Sequence, residues 1–182
     1  MYAVQGPDSC LKRHCAKEEP QSRDARLNRM MLAHEKAVLR LCCMYLRDAC
    51  LAQDAVQETF LKAYRRMDAF RGEASERTWL MRIAVNTCRD MTRSGWFRHV
   101  DKAVSLEDLP LPVAPPSEAH IALTTAIMAL PSRCREVVLL HCDQGLTIRD
   151  TARALGITAP TVMNRLKKAR AALAAALEEG DA

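Results

Sequence analysis

Four of the eight prolines in this 182-residue chain lie within seven residues, at Pro110, Pro112, Pro115 and Pro116. Each proline removes a backbone donor and disfavours helix at the residue before it, so no helix can run through this segment. The surrounding residues 103–120 hold three acidic residues and no lysine or arginine. The sequence therefore predicts two folded units joined by an acidic, proline-rich linker over residues 101–120.

Both units are predicted to be helical, because the chain has six glycines and no alternating β-branched runs. Apolar residues at helical spacing predict helices near 29–47, 51–69 and 75–94, then 121–130 and 131–141. Asp48 and Ser75 stand where they can cap the second and third of these helices. We therefore expect an all-α protein of two small helical domains. The predicted parts are a flexible N-terminal arm at 1–28, a first domain at 29–100, the linker, a second domain at 121–177 and a tail at 178–182.

The most informative local pattern lies near the C-terminus. Thr147 can cap a short helix, which Gly156 would end, and Thr158 can cap the next helix with Pro160 in its first turn. Two helices, the first of them short, joined by a glycine-containing turn of three or four residues are the sequence form of a helix-turn-helix. The second domain is therefore predicted to bind duplex DNA.

The charge distribution supports this prediction. The net charge is +5, yet residues 161–177 carry four basic residues and no acidic one. In a helix-turn-helix the second helix enters the major groove, and basic residues hold the phosphates. A solvated helix face is the alternative interpretation of such a stripe. The predicted base-facing residues are Thr158, Thr161, Met163, Asn164, Lys167 and Lys168, and Arg165 and Arg170 suit phosphate contacts.

Three segments resemble a known family. AQDAVQETFLKAYRRMDAFRG, ERTWLMRIAVNTCRDMTR and LPSRCREVVLLHCDQGLTIRDTARALGITAPTVMNRLKKARAAL resemble bacterial sigma factors of the extracytoplasmic-function (ECF) group. The resemblance covers about residues 30–175. It implies a subunit that binds core RNA polymerase and directs promoter recognition, DNA opening and transcription initiation. The first two segments would contact polymerase and the −10 element, and the third would contact the −35 element.

The resemblance assigns a polymerase contact to the second helix. Asp54, Gln57 and Glu58 match family positions that bind a basic coiled coil of the largest polymerase subunit. Their spacing of three and four residues places them on one side of a helix, opposite Val56 and Phe60. Ordinary solvated helix residues are the alternative.

Promoter opening requires groups that hold an unstacked base and its backbone. The family places this work at the loop after the second helix and on the third helix. For Trp79 we expect core packing more than base stacking. The residues that match are Phe70, Arg71, Trp79, Arg82, Asn86, Arg89 and Arg93. In the second domain Met163 stands where family members commonly have a basic residue; it suits a thymine methyl and not guanine.

Several functional classes find no support in the sequence. No phosphate-cradling glycine loop, paired-carboxylate site or nucleophile with a base occurs, so we expect neither enzymatic activity nor a cofactor. No apolar run approaches the roughly 20 residues that span a bilayer, and the first 30 residues have no signal-peptide core, so we expect a cytoplasmic protein. An anti-sigma factor is expected as a partner by resemblance alone.

The eight cysteines leave two alternatives open. No C-x-x-C pair occurs, so reduced, buried thiols are the expected state. Cys10, His14 and Cys15 form a weak metal candidate that lacks a fourth ligand, and Cys134, His141 and Cys142 form a looser group. The alternatives to a sigma factor are a free-standing helix-turn-helix regulator and a thiol or metal sensor.

Overall fold

The computed structural model describes residues 22–93 and 118–178, with side chains in the second range described from residue 121 onwards. This part of the chain contains helices and no strand, which confirms the all-α prediction. No helix in it is long and apolar enough to cross a membrane. The helices are α1 (Arg23–Leu46), α2 (Ala49–Arg65), α3 (Glu76–Arg93), α4 (Glu118–Ala129), α5 (Ser132–Val138), α6 (Ile148–Leu155) and α7 (Ala159–Glu178). A 3-10 turn over Met67–Ala69 follows α2, and a π-helical turn over Leu139–Asp143 follows α5.

Two side chains begin helices where the sequence predicted them. The Leu51 amide donates to Oδ1 of Asp48 at 2.8 Å, and the Thr78 amide donates to Oγ of Ser75 at 3.1 Å. Each bond satisfies one of the backbone donors that the first turn of a helix leaves without a partner. The starts of α2 and α3 are therefore encoded locally.

The start of α1 differs from the prediction of an arm over residues 1–28. Ser22 caps the helix by accepting from the Ala25 amide at 3.2 Å, so helical structure begins six residues before the predicted start at 29. The added turn is held by polar contacts with α2, because Arg23 donates to the Tyr64 carbonyl and Tyr64 donates to Asp24. These contacts join polar groups that are distant in the chain, so they leave no apolar repeat in the sequence from which the helix start could be predicted. Residues 1–21 of the predicted arm lie outside the described residues.

The predicted linker also ends earlier than expected. Its last residues, 118–120, belong to α4, which runs over Glu118–Ala129. The four clustered prolines lie outside the described part of the chain, as does the predicted tail beyond Glu178.

Helices α1, α2 and α3 pack together as the first unit, and α4, α5 and α6 pack against α7 in the second. The apolar faces predicted from spacing are buried in both, as at Leu41 and Phe60 in the first and at Val162 and Leu166 in the second. Helix α3 also packs against α6, and a single hydrophobic core extends through both units. The two units are therefore docked on each other.

Polar contacts accompany this docking. Nε of Arg40 lies 2.6 Å from Oδ1 of Asp143, and Arg77 donates to Gln144 at 3.3 Å. Arg153 on α6 donates to the Glu73 carbonyl in the loop before α3. The linker pattern predicted two units and contained no signal that they would pack together.

Candidate nucleic-acid and polymerase interfaces

The predicted polymerase face lies on the exposed side of α2. Asp54 and Gln57 are exposed, and Glu58 is partly exposed with its carboxylate 3.7 Å from Nζ of Lys62. The opposite side of the helix is buried in the core through Val56 and Phe60. The structure therefore brings the three predicted residues together on an accessible surface.

Leu61 belongs to the same face and was missed by the sequence analysis. It follows Asp54 by seven residues, which is two helical turns, and half of its surface is exposed. An exposed leucine beside polar residues is typical of protein–protein contacts when it is part of a larger patch. The available signal for Leu61 was the spacing of residues 54, 57, 58 and 61, which places all four on one side of the helix.

The loop between α2 and α3 is held by an aromatic contact. The rings of Phe70 and Trp79 lie 4.9 Å apart between centroids, tilted by 41°. The guanidinium of Arg26 lies 5.3 Å from the Phe70 centroid and also pairs with Glu76 at 3.4 Å. Trp79 is partly buried against the core, in agreement with the expectation of core packing. Arg71, next to Phe70, is exposed.

The predicted −10 residues of α3 do not all lie on one free edge. Arg82, Asn86 and Arg93 are exposed, whereas Arg89 is half-buried between the two units. Arg89 donates to both carboxylate oxygens of Glu136 on α5, at 2.8 and 2.7 Å, and to Oδ1 of Asn86 at 3.2 Å. The docked arrangement therefore holds the Arg89 side chain in an ion pair across the two units.

Glu136 is the centre of this contact. It is only 4% exposed, and the Tyr45 hydroxyl donates to its Oε1 at 2.9 Å. The hydrogen bonds to Glu136 raise the pKa of Arg89, and burial together with the negative charge of Glu136 raises the pKa of Tyr45. A buried carboxylate with two partners from the other unit fixes the relative position of the units. The sequence analysis missed this role; an acidic residue directly before the apolar run at 137–140 was the available signal.

The helix-turn-helix prediction is confirmed in its geometry. The Asp150 amide donates to Oγ1 of Thr147 at 3.1 Å at the start of α6, and Gly156 ends that helix with φ 66°. This left-handed conformation is the one that glycine adopts without strain. The Thr161 amide donates to Oγ1 of Thr158 as α7 begins, so a turn of three residues separates the helices.

Most of the predicted DNA-facing residues of α7 are accessible. Met163 is 58% exposed, and α7 is buried through Val162, Leu166 and Ala169. Thr161 and Arg165 are half-buried, and Arg165 faces a cavity between the two units. The exposed members of the predicted set are Thr158, Met163, Asn164, Lys167, Lys168 and Arg170.

The described cysteines are free thiols, and most of those in the first unit are buried. Sγ of Cys88 lies 3.7 Å from Sγ of Cys42. Burial raises the pKa of Cys43 to about 11, and the Cys42 hydrogen bond together with burial raises the pKa of Cys88. Within residues 22–93 and 118–178, no three His, Cys, Asp or Glu side chains are placed to hold a metal ion. Cys10, His14 and Cys15 lie outside the described residues.

Alkylation should therefore distinguish the thiols. At pH 8 we expect iodoacetamide to label the exposed Cys50 and Cys142 at least about 100-fold faster than Cys43 or Cys88, because the buried thiols form little thiolate. Peptide mapping by mass spectrometry at successive times measures each rate. The same reaction in denaturant provides the control, where all sites should react. Rapid labelling of Cys43 in the folded protein would contradict the packing described above.

Comparisons with known proteins agree with the two-unit architecture. Residues 30–98 match the family described as Sigma-70 region 2, and residues 120–173 match Sigma-70, region 4. The ECF RNA polymerase sigma factor SigM of Mycobacterium tuberculosis is 38% identical over 144 residues, which cover 78% of this chain and 71% of SigM. The chain belongs to the ECF RNA polymerase sigma factors.

A second sequence relative and a solved structure each align with most of this sigma factor. The RNA polymerase sigma-H factor of Pseudomonas aeruginosa is 31% identical over 163 residues, covering 82% of this chain and 84% of the relative. Among solved structures, CnrH in complex with the cytosolic domain of CnrY superposes with a TM-score of 0.67 at 24% identity, covering 87% of this chain and 90% of CnrH. That structural likeness supports the fold of the sigma factor.

Proposed function

We propose that this sigma factor binds core RNA polymerase through the exposed face of α2, opens the −10 element with residues 70–93, and recognises the −35 element through α7. The observation that supports it most directly is the helix-turn-helix, whose second helix presents a polar and basic face with no acidic residue over positions 161–177. Catalysis of nucleotide addition would belong to polymerase, and the protein would act in the cytoplasm without a cofactor.

Charge and exposure support a polymerase contact on α2. Asp54 and Gln57 are exposed, and Glu58 is partly so, which suits a basic partner surface without a change in the core. Leu61 adds an apolar group to the same face. Interfaces commonly combine a desolvated apolar centre with a polar rim. On this face Leu61 supplies the apolar group, and Asp54, Gln57 and Glu58 supply the polar groups beside it.

The exposed side chains of α7 support a −35 contact. Asn164 and Lys167 occupy one side of the helix, three residues apart, and both are exposed. Asparagine pairs bidentately with adenine in the major groove, whereas lysine pairs with guanine or a phosphate. Met163 offers an apolar contact for a thymine methyl. These residues and Lys168 would specify bases, whereas Arg170 would hold a phosphate.

The −10 contact requires a change in the docked structure. Arg82, Asn86 and Arg93 are exposed on α3, but Arg89 is engaged by Glu136. The carboxylate of Glu136 occupies the Nε and Nη2 donors of Arg89 and compensates its charge, so the paired guanidinium would bind DNA phosphate more weakly. Binding of Arg89 to the opened strand would therefore accompany separation of α3 from α5.

A protein partner is proposed on family grounds. The structural relatives include CnrH bound to the cytosolic domain of CnrY and RpoE bound to the anti-sigma factor NepR from Bartonella quintana. We propose that an anti-sigma factor likewise covers a surface of this chain.

Run-off transcription with core polymerase of the source organism tests the proposal. The template is the promoter region upstream of the protein's own gene, and the matched template has that region scrambled. A specific transcript that needs both the protein and the intact promoter is expected. Tight duplex binding by the protein alone, with no transcript, would instead favour the free-standing regulator.

Salt dependence tests the role of α7 in binding duplex DNA. Replacing Arg170 with alanine should lower affinity for the −35 duplex and reduce the salt slope by about one counterion, because its guanidinium would neutralise one phosphate. Fluorescence anisotropy at several salt concentrations measures both quantities. Lys36→Ala, at an exposed position on α1, is the control and should change neither.

A further inference from the structure

The docked units line a partly open cavity to which the proposed function assigns no ligand. Its volume is about 610 Å³, and both units line it. Arginines dominate the lining, three from each unit: Arg47, Arg89 and Arg93 from the first, and Arg133, Arg135 and Arg165 from the second. Glu136 is the carboxylate among the described residues that line it.

The single carboxylate is already engaged. Glu136 accepts two hydrogen bonds from Arg89 and one from Tyr45. The ion pairs of the described residues include none of the other five cavity arginines. Several like charges around one partly enclosed space repel one another, and this repulsion opposes docking unless an anion compensates it.

Two of these arginines have donors directed at no protein acceptor. Nε of Arg47 and Nε of Arg135 are buried and find no hydrogen-bond partner among the described residues. Burial and the neighbouring charge of Arg47 lower the pKa of Arg135, and together they outweigh the opposing effect of Glu136. A buried donor without a partner costs free energy, which either guanidinium would recover by turning toward an acceptor bound in the cavity.

We propose that this cavity binds a small anion with two or more phosphoryl groups, and that the anion holds the two units in the docked arrangement. Phosphate chains match the chemistry, because guanidinium groups donate in pairs to phosphoryl oxygens. The volume lies within the range of small-molecule sites, about 300–1,000 Å³. A DNA duplex is too wide to enter a cavity of this volume, so the observations favour a free anion over a duplex backbone.

Binding to the docked form alone follows from the composition of the site. The first unit supplies three of the arginines and the second unit supplies the other three. An anion that requires both sets stabilises the docked state by mass action, in proportion to its concentration relative to Kd. It would thereby also favour the Arg89–Glu136 pair over binding of Arg89 to DNA; this last consequence rests on the proposed function, whereas the site itself does not.

Calorimetric titration of the full chain with inorganic tripolyphosphate at low salt tests the site. The test variant is Arg47→Gly combined with Arg135→Met. Arg47 ends α1 with φ 60°, a conformation that glycine adopts without strain, and methionine keeps the apolar stem length at 135. The control is Arg65→Met combined with Arg149→Met, two exposed helical arginines outside the cavity, which removes the same charge.

We expect tripolyphosphate to bind the wild type and the control alike, and to bind the cavity variant at least about tenfold more weakly, because charge-assisted bonds are lost. Orthophosphate should bind weakly to all three. ATP and tripolyphosphate are compared in separate arms: equal affinity assigns recognition to the phosphate chain, and tighter ATP binding adds a nucleoside contact. Both results support the site.

Three results would overturn the proposal. The first is no binding of tripolyphosphate or ATP to the wild type. The second is an equal loss in the cavity variant and the control, which would show attraction to the basic surface in general. The third is a loss of promoter-duplex affinity in the cavity variant with phosphate-chain binding unchanged, which would assign these arginines to nucleic acid.

Discussion

Replacing Asp54 with arginine should reduce promoter-specific transcription by about 100-fold or more. The proposed partner surface is basic, and placing a like charge against it costs several kcal/mol of binding free energy. Asp54 is exposed on α2, so the free energy of unfolding should change by no more than about 0.5 kcal/mol. The expected defect is therefore in polymerase binding alone, measured by run-off transcription and by the Kd for core polymerase.

Glu35→Arg is the matched charge reversal. Glu35 is exposed on α1, outside the face formed by Asp54, Gln57 and Glu58. It should transcribe like the wild type and bind core polymerase with the same Kd. Full transcription by the Asp54 variant, or an equal defect in both variants, would move the polymerase contact away from this face of α2. Duplex binding through α7 should be the same for both proteins.

Replacing Glu136 with leucine should cost about 3 kcal/mol of stability in the docked protein. The substitution leaves the half-buried Arg89 among the other cavity arginines without its counter-charge, and leaves the Tyr45 hydroxyl without its acceptor. Since these partners lie on the other unit, we expect the units to separate. Urea denaturation measures the free energy, and small-angle scattering measures the increase in radius of gyration.

The double variant separates charge from packing. Arg89→Met combined with Glu136→Leu removes both charges together, and replacing both members of a buried ion pair by apolar groups is often close to neutral. The double variant should therefore recover most of the stability that Glu136→Leu loses. If Glu136→Leu alone keeps the stability and radius of the wild type, the ion pair does not hold the units together. Glu35→Gln serves as the exposed control.

Local sequence was sufficient for the starts of α2, α3 and α6 and for the helix-turn-helix. Asp48, Ser75 and Thr147 each bond to an amide three residues further on, so both partners of each bond occur in one short segment. Gly156 is a local signal for the end of α6, because glycine itself readily adopts the positive φ found at this position. The apolar faces of α2 and α7 likewise repeat at helical spacing, and burial agrees with them.

The features that the sequence did not predict depend on residues that are far apart in the chain. The first turn of α1 depends on Arg23, Asp24 and Tyr64, which are about 40 residues apart in sequence. The family resemblance assigns Arg89 to DNA together with Arg82 and Arg93 on the same helix. Its pairing with Glu136, 47 residues away, could not be derived from either helix alone.

The sequence by itself determined the approximate positions of the helices, the caps of α2, α3 and α6, the division into two units and the membership in a sigma-factor family. These features depend on residues close together in the chain or on recognisable segments. Only the tertiary structure decided that the units dock, that Glu136 pairs with Arg89, and that six arginines surround one cavity. The physical reason is that charges on separate helices carry no periodic signal in the chain; their interaction exists only when packing of α3 against α6 brings them together.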